Sequence, residues 1–222
     1  STHQVAHHVD LTIAPEKLHE NVARNHRKAL RQAEKRGMSV EFQTSLEDVQ
    51  QFFDLQLRTR HAKGLPTQPW EFFKNLHQFL IQDGTNGCIV LAKNKFIVIG
   101  GKVVLFWGNT MTGKYSASDY DYLSYRPNHL VYWESLLWGI SQGFTVNDLG
   151  KTTTDNQGLC RFKRGWTAIE APLRYTYLGR TTDVEMSEPT ESGVMRLASK
   201  VIQRSPLFVS RLLGAWFYRF LT

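Results

Sequence analysis

The sequence predicts an α+β fold, in which a mixed, mostly antiparallel sheet is flanked by helices and followed by a C-terminal helical extension. Three observations carry this reading. Segments of helical and strand period do not alternate regularly, as they would in a doubly wound sheet. The run "CIVLAKNKFIVIGGKVVLFWGNT" holds successive β-rich stretches joined by short polar turns, the mark of an antiparallel meander. After a polar stretch, the last thirty residues return to helical spacing around Pro206.

In chain order, "HQVAHHVDLTI" reads as a short strand. Pro15, whose missing N–H costs nothing in a first helical turn, opens a helix expected to end at Gly37. Its apolar stripe, Leu18, Val22, Ala29, Leu30 and Ala33, is narrow and leaves Arg24, Arg27, Lys28 and Arg31 on a wide polar face. "MSVEFQ" alternates as a strand. Ser45 with Asp48 three residues later resembles a capping box, starting a helix through Arg60. Beyond the loop "HAKGLPTQP", Trp70, Phe73, Leu76 and Leu80 share one face of a second helix. The meander follows, turning near Asn94, with its last strand ending about Ala117. A loop then leads to a helix with Pro127 in its first turn that stops before Gly143. "FTVNDL" is a short buried strand, and thirteen residues from Gly150 to Phe162 are expected to form a polar loop before a short helix. "WTAIEAPLRYTYL" supplies a final long strand, and "TTDVEMSEPTESG" is a polar linker to two terminal helices.

Charge and composition narrow the function classes. The chain has 222 residues and a formal net charge of +7, concentrated at its two ends. Lys17, Arg24, Arg27, Lys28, Arg31, Lys35 and Arg36 face only Glu20 and Glu34 near the start; Arg196, Lys200, Arg204, Arg211 and Arg219 follow the last acid, Glu191. Such ends attract phosphate-bearing partners, whether RNA, nucleotide or anionic lipid. No apolar run reaches the length of a bilayer-spanning helix. Cys88 and Cys160 lack metal-ligand spacing, and the histidines do not repeat at i, i+4 beside a carboxylate, so no catalytic metal is expected. A reducing compartment is the simplest setting for two such cysteines.

Chemistry is expected where strands deliver residues to loops. The stretch "SYRPNH" leads into the Pro127 helix, whose unpaired N–H groups suit an anion, with Arg126 adding charge. Asp148, at the end of a buried strand, can orient a neighbouring cation or an amine, and can equally cap the following turn. The pair Phe162 and Lys163 offers an ammonium beside an aromatic wall, suited to the oxyanion formed when an amine attacks a carbonyl; core packing with a solvated charge is the competing reading. Gly-x-Ser-x-Gly elbows and phosphate-binding Walker loops are absent, which leaves direct attack by a bound amine.

The runs "NHRKALRQAEKRGMSVEF" and "RTRHAKGLPTQPWEFF", and above all residues 113–175 from "GKYSASDYDYLSYRPNHLVYW" through "DLGKTTTDNQGLCRFKRGW", resemble the FemAB-like branch of the GNAT superfamily and its BioF2-like acyltransferase relatives. The resemblance covers residues 10–178 and extends to "VIQRSPLFVSRLLGAWFYRFL". It implies a GNAT-like fold and transfer of an acyl or aminoacyl group to an amine in cell-wall or exopolysaccharide metabolism. The implied donor is aminoacyl-tRNA or acyl-CoA, with no tightly bound cofactor. The implied setting is cytoplasmic, at or near the inner membrane face. It assigns Phe162 and Lys163 to stabilising the tetrahedral intermediate. The D-[FL]-G-[RK] element falls on Asp148, Leu149, Gly150 and Lys151, with Lys151 replacing the usual Arg and losing its planar fork. Arg126, Asn128, His129, Gly150, Lys151, Thr152 and Arg161 are the expected substrate- or cofactor-binding residues.

The acetyl-CoA phosphate loop usual in GNAT enzymes, Q/R-x-x-G-x-G/A, is replaced by "SASDYDYLSYRPN", an argument against routine acetyl-CoA use. Residues 1–37 are expected to be a lead-in strand and basic helix, belonging or leading to a further GNAT-like unit. Residues 38–180 would then form the transferase domain, and 181–222 the linker and amphipathic helices. The alternative function is a non-catalytic GNAT-like module that holds RNA or an anionic membrane through its basic ends. In the catalytic reading, the Lys163 ammonium enters a pocket shared by the Asp148 strand end and the Arg126 helix start.

Overall fold

The computed structural model describes residues 4–174 and 193–218. Among them, seven strands form one sheet: β1 (Gln4–Asp10), β2 (Met38–Gln43), β3 (Gly87–Asn94), β4 (Ile97–Trp107), β5 (Thr110–Ser118), β6 (Val146–Thr153) and β7 (Ile169–Pro172). Their order is β2-β3-β4-β5-β6-β1-β7. All neighbours pair antiparallel except β5 with β6, which run parallel and pair only over Thr110–Thr112 against Val146–Asp148. Beyond Thr112 and Asp148 the two strands no longer pair with each other, though β5 stays on β4 and β6 on β1, so the sheet opens at its centre.

Helices cover both faces. The strand alternation in β3 divides the core: Cys88, Val90 and Ala92 face one cluster, and Ile89 and Leu91 the other. The first cluster takes α1 (Pro15–Asn21), α2 (Arg24–Lys35) and α5 (Pro127–Ser141) through Leu18, Leu30, Ala33, Leu130 and Leu136. The second takes α3 (Leu46–Ala62) and α4 (Trp70–Leu76) through Phe52, Phe53 and Phe73. The adjacent Gly100 and Gly101 of β4 let both layers close in: a Cβ on Gly100 would press against Pro127, and one on Gly101 against Phe52. Because β1 lies between β6 and β7 while α1 and α2 feed the first cluster, residues 4–35 share sheet and core with residues 38–174.

Two local expectations are corrected. The single helix expected from Pro15 to Gly37 is two, because Val22 and Ala23 are extended (ψ 135° and 141°). The Ala23 N–H donates to the Gly165 carbonyl, a tertiary bond that no glycine or proline in the sequence announces. The thirteen-residue loop is instead mostly regular structure: β6 runs on to Thr153, and α6 (Gln157–Arg164) starts at once, capped by the Asn156 side chain. The Ser45 cap, in contrast, is present, its hydroxyl accepting from the Asp48 N–H. α4 continues as a π-helical turn, His77–Ile81, which carries Leu80.

The terminal helices α7 (Gly193–Arg204) and α8 (Leu207–Tyr218) rest on the end of α3. His61 Nε2 donates to the Ser205 carbonyl and Gln203 to that of Ala62, while Gly214 lets α8 approach the Thr67 backbone. The rest of the expected final strand and the polar linker fall within residues 175–192, outside the described residues. Among the described residues, no helix is long and apolar enough to cross a membrane.

Candidate active site

A pocket of about 350 Å³ lies along the part of β5 that has parted from β6. Ser116 and Ser118 line it from the half of β5 that does not pair with β6, Asn128 and Tyr132 from α5, and Leu159 and Phe162 from α6; Thr59 and Lys63 at the end of α3 complete it with Tyr120 and Leu123. Three bonds fix the rim. The Thr59 hydroxyl donates to the Ser118 carbonyl and accepts from its N–H, pinning α3 to the end of β5. Asn128 shares a hydrogen bond with the Ser118 hydroxyl. Among the described residues no carboxylate lines this pocket, so it is suited to an electron-rich group.

Phe162 and Lys163 leave α6 in different directions. The Phe162 ring closes the pocket, meeting Tyr132 at 5.1 Å and His129 at 5.3 Å between ring centres. Its backbone oxygen accepts from His26 Nε2 at 2.8 Å, which fixes the proton on that nitrogen because a carbonyl can only accept. Lys163 turns to β6, is 3% exposed, and donates to Gly150 O (2.8 Å), Lys151 O (3.2 Å) and Thr152 Oγ1 (2.7 Å). Its three protons thus have three acceptors. Burial lowers the Lys163 pKa to about 8, opposed by the field of Asp148 and then of Cys160.

This corrects the expected geometry. The ammonium sits at the Asp148 strand end, behind Phe162, and is not part of the pocket lining; the Arg126 helix start belongs to a different, smaller cavity. Arg126 adopts a left-handed conformation (φ 63°) before Pro127, and its Nε donates to Gln32 Oε1. With His129, Asn25, Lys28 and Gln32 it lines a recess of about 270 Å³ at the start of α5. His129 is neutral near pH 7: burial, then His26 and Arg126, lower its pKa to about 4.

The other expected residues divide in the same way. Asp148 accepts from the Gly150 N–H (2.7 Å), capping its turn, and also biases Lys163 toward the charged form. Gly150 has φ +75°, which frees its carbonyl for the ammonium. Thr152 is buried against Lys163 rather than offered to a ligand, and Lys151 and Arg161 are exposed. The polar loop expected here, with Thr152 offered to a ligand, is therefore the end of a strand that holds a lysine.

Sequence reasoning missed Tyr132, Ser116 and Lys102. Tyr132 was hidden among apolar helix positions and Ser116 in an ordinary strand. Lys102 did leave a signal, as the one charge within the apolar run "IVIGGKVVLFW". A further unforeseen cluster joins the ligand atoms of His7, Cys160 and Glu170 within 4.8 Å of one another. There Glu170 already pairs with His7 and Arg164, and the adjacent Lys163 and Arg164 cations oppose a metal ion. Cys88 and Cys160 are both free and buried.

The sequence matches the Acetyltransferase (GNAT) domain over residues 20–164. It is 34% identical over 76 residues to a lipid II:glycine glycyltransferase of Staphylococcus epidermidis, a match that covers 32% of this chain and 18% of that protein. The fold superposes on the crystal structure of FemX with a TM-score of 0.68 at 19% identity, covering 75% of this chain and 59% of FemX. Superposition on L-PGS from Bacillus licheniformis gives 0.55 at 11% identity, covering 78% and 59%. The chain thus spans about a fifth of the curated relative and about three fifths of these structures. The opened sheet, the helices on both faces and the match over residues 20–164 agree, and the chain belongs to the GNAT acetyltransferase domain family, its likenesses pointing to the FemAB-like branch.

Proposed function

We propose that this chain is a FemAB-like acyl or aminoacyl transferase, moving an acyl group from an activated donor onto an amine in cell-wall or exopolysaccharide metabolism. The observation that carries the reading is a carboxylate-free pocket at the sheet opening, walled by Phe162, with the buried Lys163 cation behind it. The amine nitrogen attacks the acyl carbon, the carbonyl electron pair moves to oxygen, and the donor's ester oxygen or thioester sulfur departs. The proton lost by the amine balances the one gained by the leaving group. Preorganised N–H and O–H donors aimed at that oxygen lower the barrier. Lys163, held behind Phe162 by Gly150 O, Lys151 O and Thr152 Oγ1, serves it through the field of its buried charge.

Aminoacyl-tRNA is the favoured donor. A 3-10 turn, Tyr120–Tyr125, replaces the phosphate-binding loop usual for acetyl-CoA, and Arg126 and Lys28 line the adjoining recess, which suits a phosphate backbone. The relative named lipid II:glycine glycyltransferase points to a cell-wall amine acceptor. A mass-spectrometric screen with glycyl-tRNA and acetyl-CoA, each offered with an amine-bearing peptidoglycan precursor, tests this. Acyl transfer from glycyl-tRNA is expected, and transfer from neither donor contradicts the reading.

A second partner is favoured by one observation. On α8, Phe208, Leu212 and Trp216 recur at i, i+4 and are 63%, 65% and 62% exposed, while Ser210 and Gly214 on the opposite side are packed against the domain. No acid follows Glu191. An outward apolar stripe on a basic segment suits the surface of an anionic membrane, and this working place is cytoplasmic. Because α7 and α8 sit on the end of α3, beside the pocket residue Lys63, such docking brings the pocket close to lipid-linked substrates.

A further inference from the structure

Lys102 is 1% exposed in the middle of β4, and its Nζ has no hydrogen-bond partner among the described residues. Burying an unpaired ammonium is costly. A second unfavourable choice makes it possible: Gly113, a glycine inside a strand, sits where β5 leaves β6, and a Cβ there would collide with Lys102 Cε and Nζ. The lysine stem crosses this gap, and its Nζ settles 4.1 Å from the centre of the Tyr132 ring. In the β4–β5 register Lys102 stands opposite Ser116, which shares the pocket wall with Tyr132. Ser116 and Tyr132 both line the pocket, whereas Lys102 stands behind them.

We infer that Lys102 is a positioning residue for this pocket: its cation on the face of the Tyr132 ring strengthens the Tyr132 hydroxyl as a donor toward the acyl oxygen as that oxygen gains negative charge. The inference rests on the transfer reading above and adds to it a hydroxyl donor in the pocket wall, distinct from the Lys163 charge behind it. A cation on an aromatic face draws electron density from the ring, and a phenol depleted in this way donates more strongly. No bond to Lys102 forms or breaks.

The charge on Lys102 is conditional. Burial lowers its pKa to about 8, opposed by Cys88 on β3 and reinforced by Lys163 on α6. The Cys88 thiol, pushed up to about 12, remains protonated, and Tyr132 on α5 is held above its ordinary value by burial. Asp148 and His7 act on Lys163 and reach Lys102 only through it. As pH rises through about 8 the cation is lost and the phenol returns to an ordinary donor.

The test uses the full chain carrying tyrosine labelled with carbon-13 at the phenol carbon, with the Tyr132 signal identified by its loss in Tyr132→Phe. Between pH 6 and 9 the signal should move in one step near pH 8, persist in Lys163→Met and stay flat in Lys102→Met. A flat signal in the native chain, or an unchanged step in Lys102→Met, would overturn the inference. In turnover with glycyl-tRNA as probe donor, Lys102→Met should lower kcat about tenfold with KM unmoved, and have no further effect in a Tyr132→Phe background. Equal losses in both backgrounds would make the lysine merely structural. The spectroscopic arm needs no turnover, so failure of the transfer reading is separable from failure of this one.

Discussion

The Lys163 ammonium donates to the Gly150 carbonyl across 2.8 Å, tying the end of α6 to the strand at the point where the sheet has opened. One bond thus fixes both the position of Phe162 in the pocket wall and the height of the cation behind it. Removing the ammonium leaves two strand carbonyls and the Thr152 hydroxyl without their shared donor. Lys163→Met is expected to cost about 1–3 kcal/mol in denaturant unfolding while leaving the sheet intact.

Stability should also rise with alkali over a narrow window. Lys102 and Lys163 have native pKa values of about 8, below the ordinary lysine value, so above pH 8 the unfolded chain holds more protons than the native one. Stability therefore increases from pH 8 toward 9. Above 9 the trend is opposed by Cys88, which keeps its proton in the native state and loses it on unfolding. Urea midpoints across pH 7–9 check this; Lys102→Met combined with Lys163→Met should flatten the rise.

Acid acts through the histidines. His129 is lowered to about 4 and His26 is also lowered, so between pH 6.5 and 4 the unfolded chain takes up protons that the native chain refuses. Stability is lost as pH falls through that range, by at most about 3 kcal/mol for His129. His129→Phe should remove much of the loss in thermal melts at pH 5 against pH 7. An unchanged difference would place the acid sensitivity elsewhere.

Much of the fold was legible because its signals are local. The capping pair Ser45 and Asp48, Pro127 at the first turn of α5, and the β-rich apolar runs of β3 and β4 each state their own structure. The errors lie where a distant residue decides. The break at Ala23 depends on the Gly165 carbonyl, and the length of β6 depends on pairing with β1, whose Gln4 and Val5 meet Thr153 and Thr152. The chemical pair Phe162 and Lys163 was visible as residue types. Their different directions were not, because a helical step of about 100° sends neighbours to different surfaces.

The Gly113 gap gives a packing prediction. Gly113→Ala should destabilise the chain by about 1–3 kcal/mol, because a strand backbone and a buried stem cannot both yield. In a Lys102→Ala background the same substitution should cost less than half as much in urea unfolding. Additive losses would contradict the contact.

For the outer stripe of α8, flotation with phosphatidylglycerol-containing vesicles should recover the native chain. Phosphatidylcholine alone should not, since charge contributes alongside the apolar side chains. Phe208→Ser and Leu212→Ser together should abolish flotation with the melting temperature unchanged, because these side chains are mostly exposed. Equal flotation of both proteins would remove the membrane from the account.

The central claim is that Lys163 meets charge developing on an acyl oxygen, and single-turnover transfer from glycyl-tRNA in native and Lys163→Met protein tests it most directly. A fall of about 10²- to 10³-fold in the chemical step, with donor affinity and secondary structure retained, is the predicted result. Native turnover undiminished in Lys163→Met would contradict it and leave that ammonium as a strut between α6 and β6.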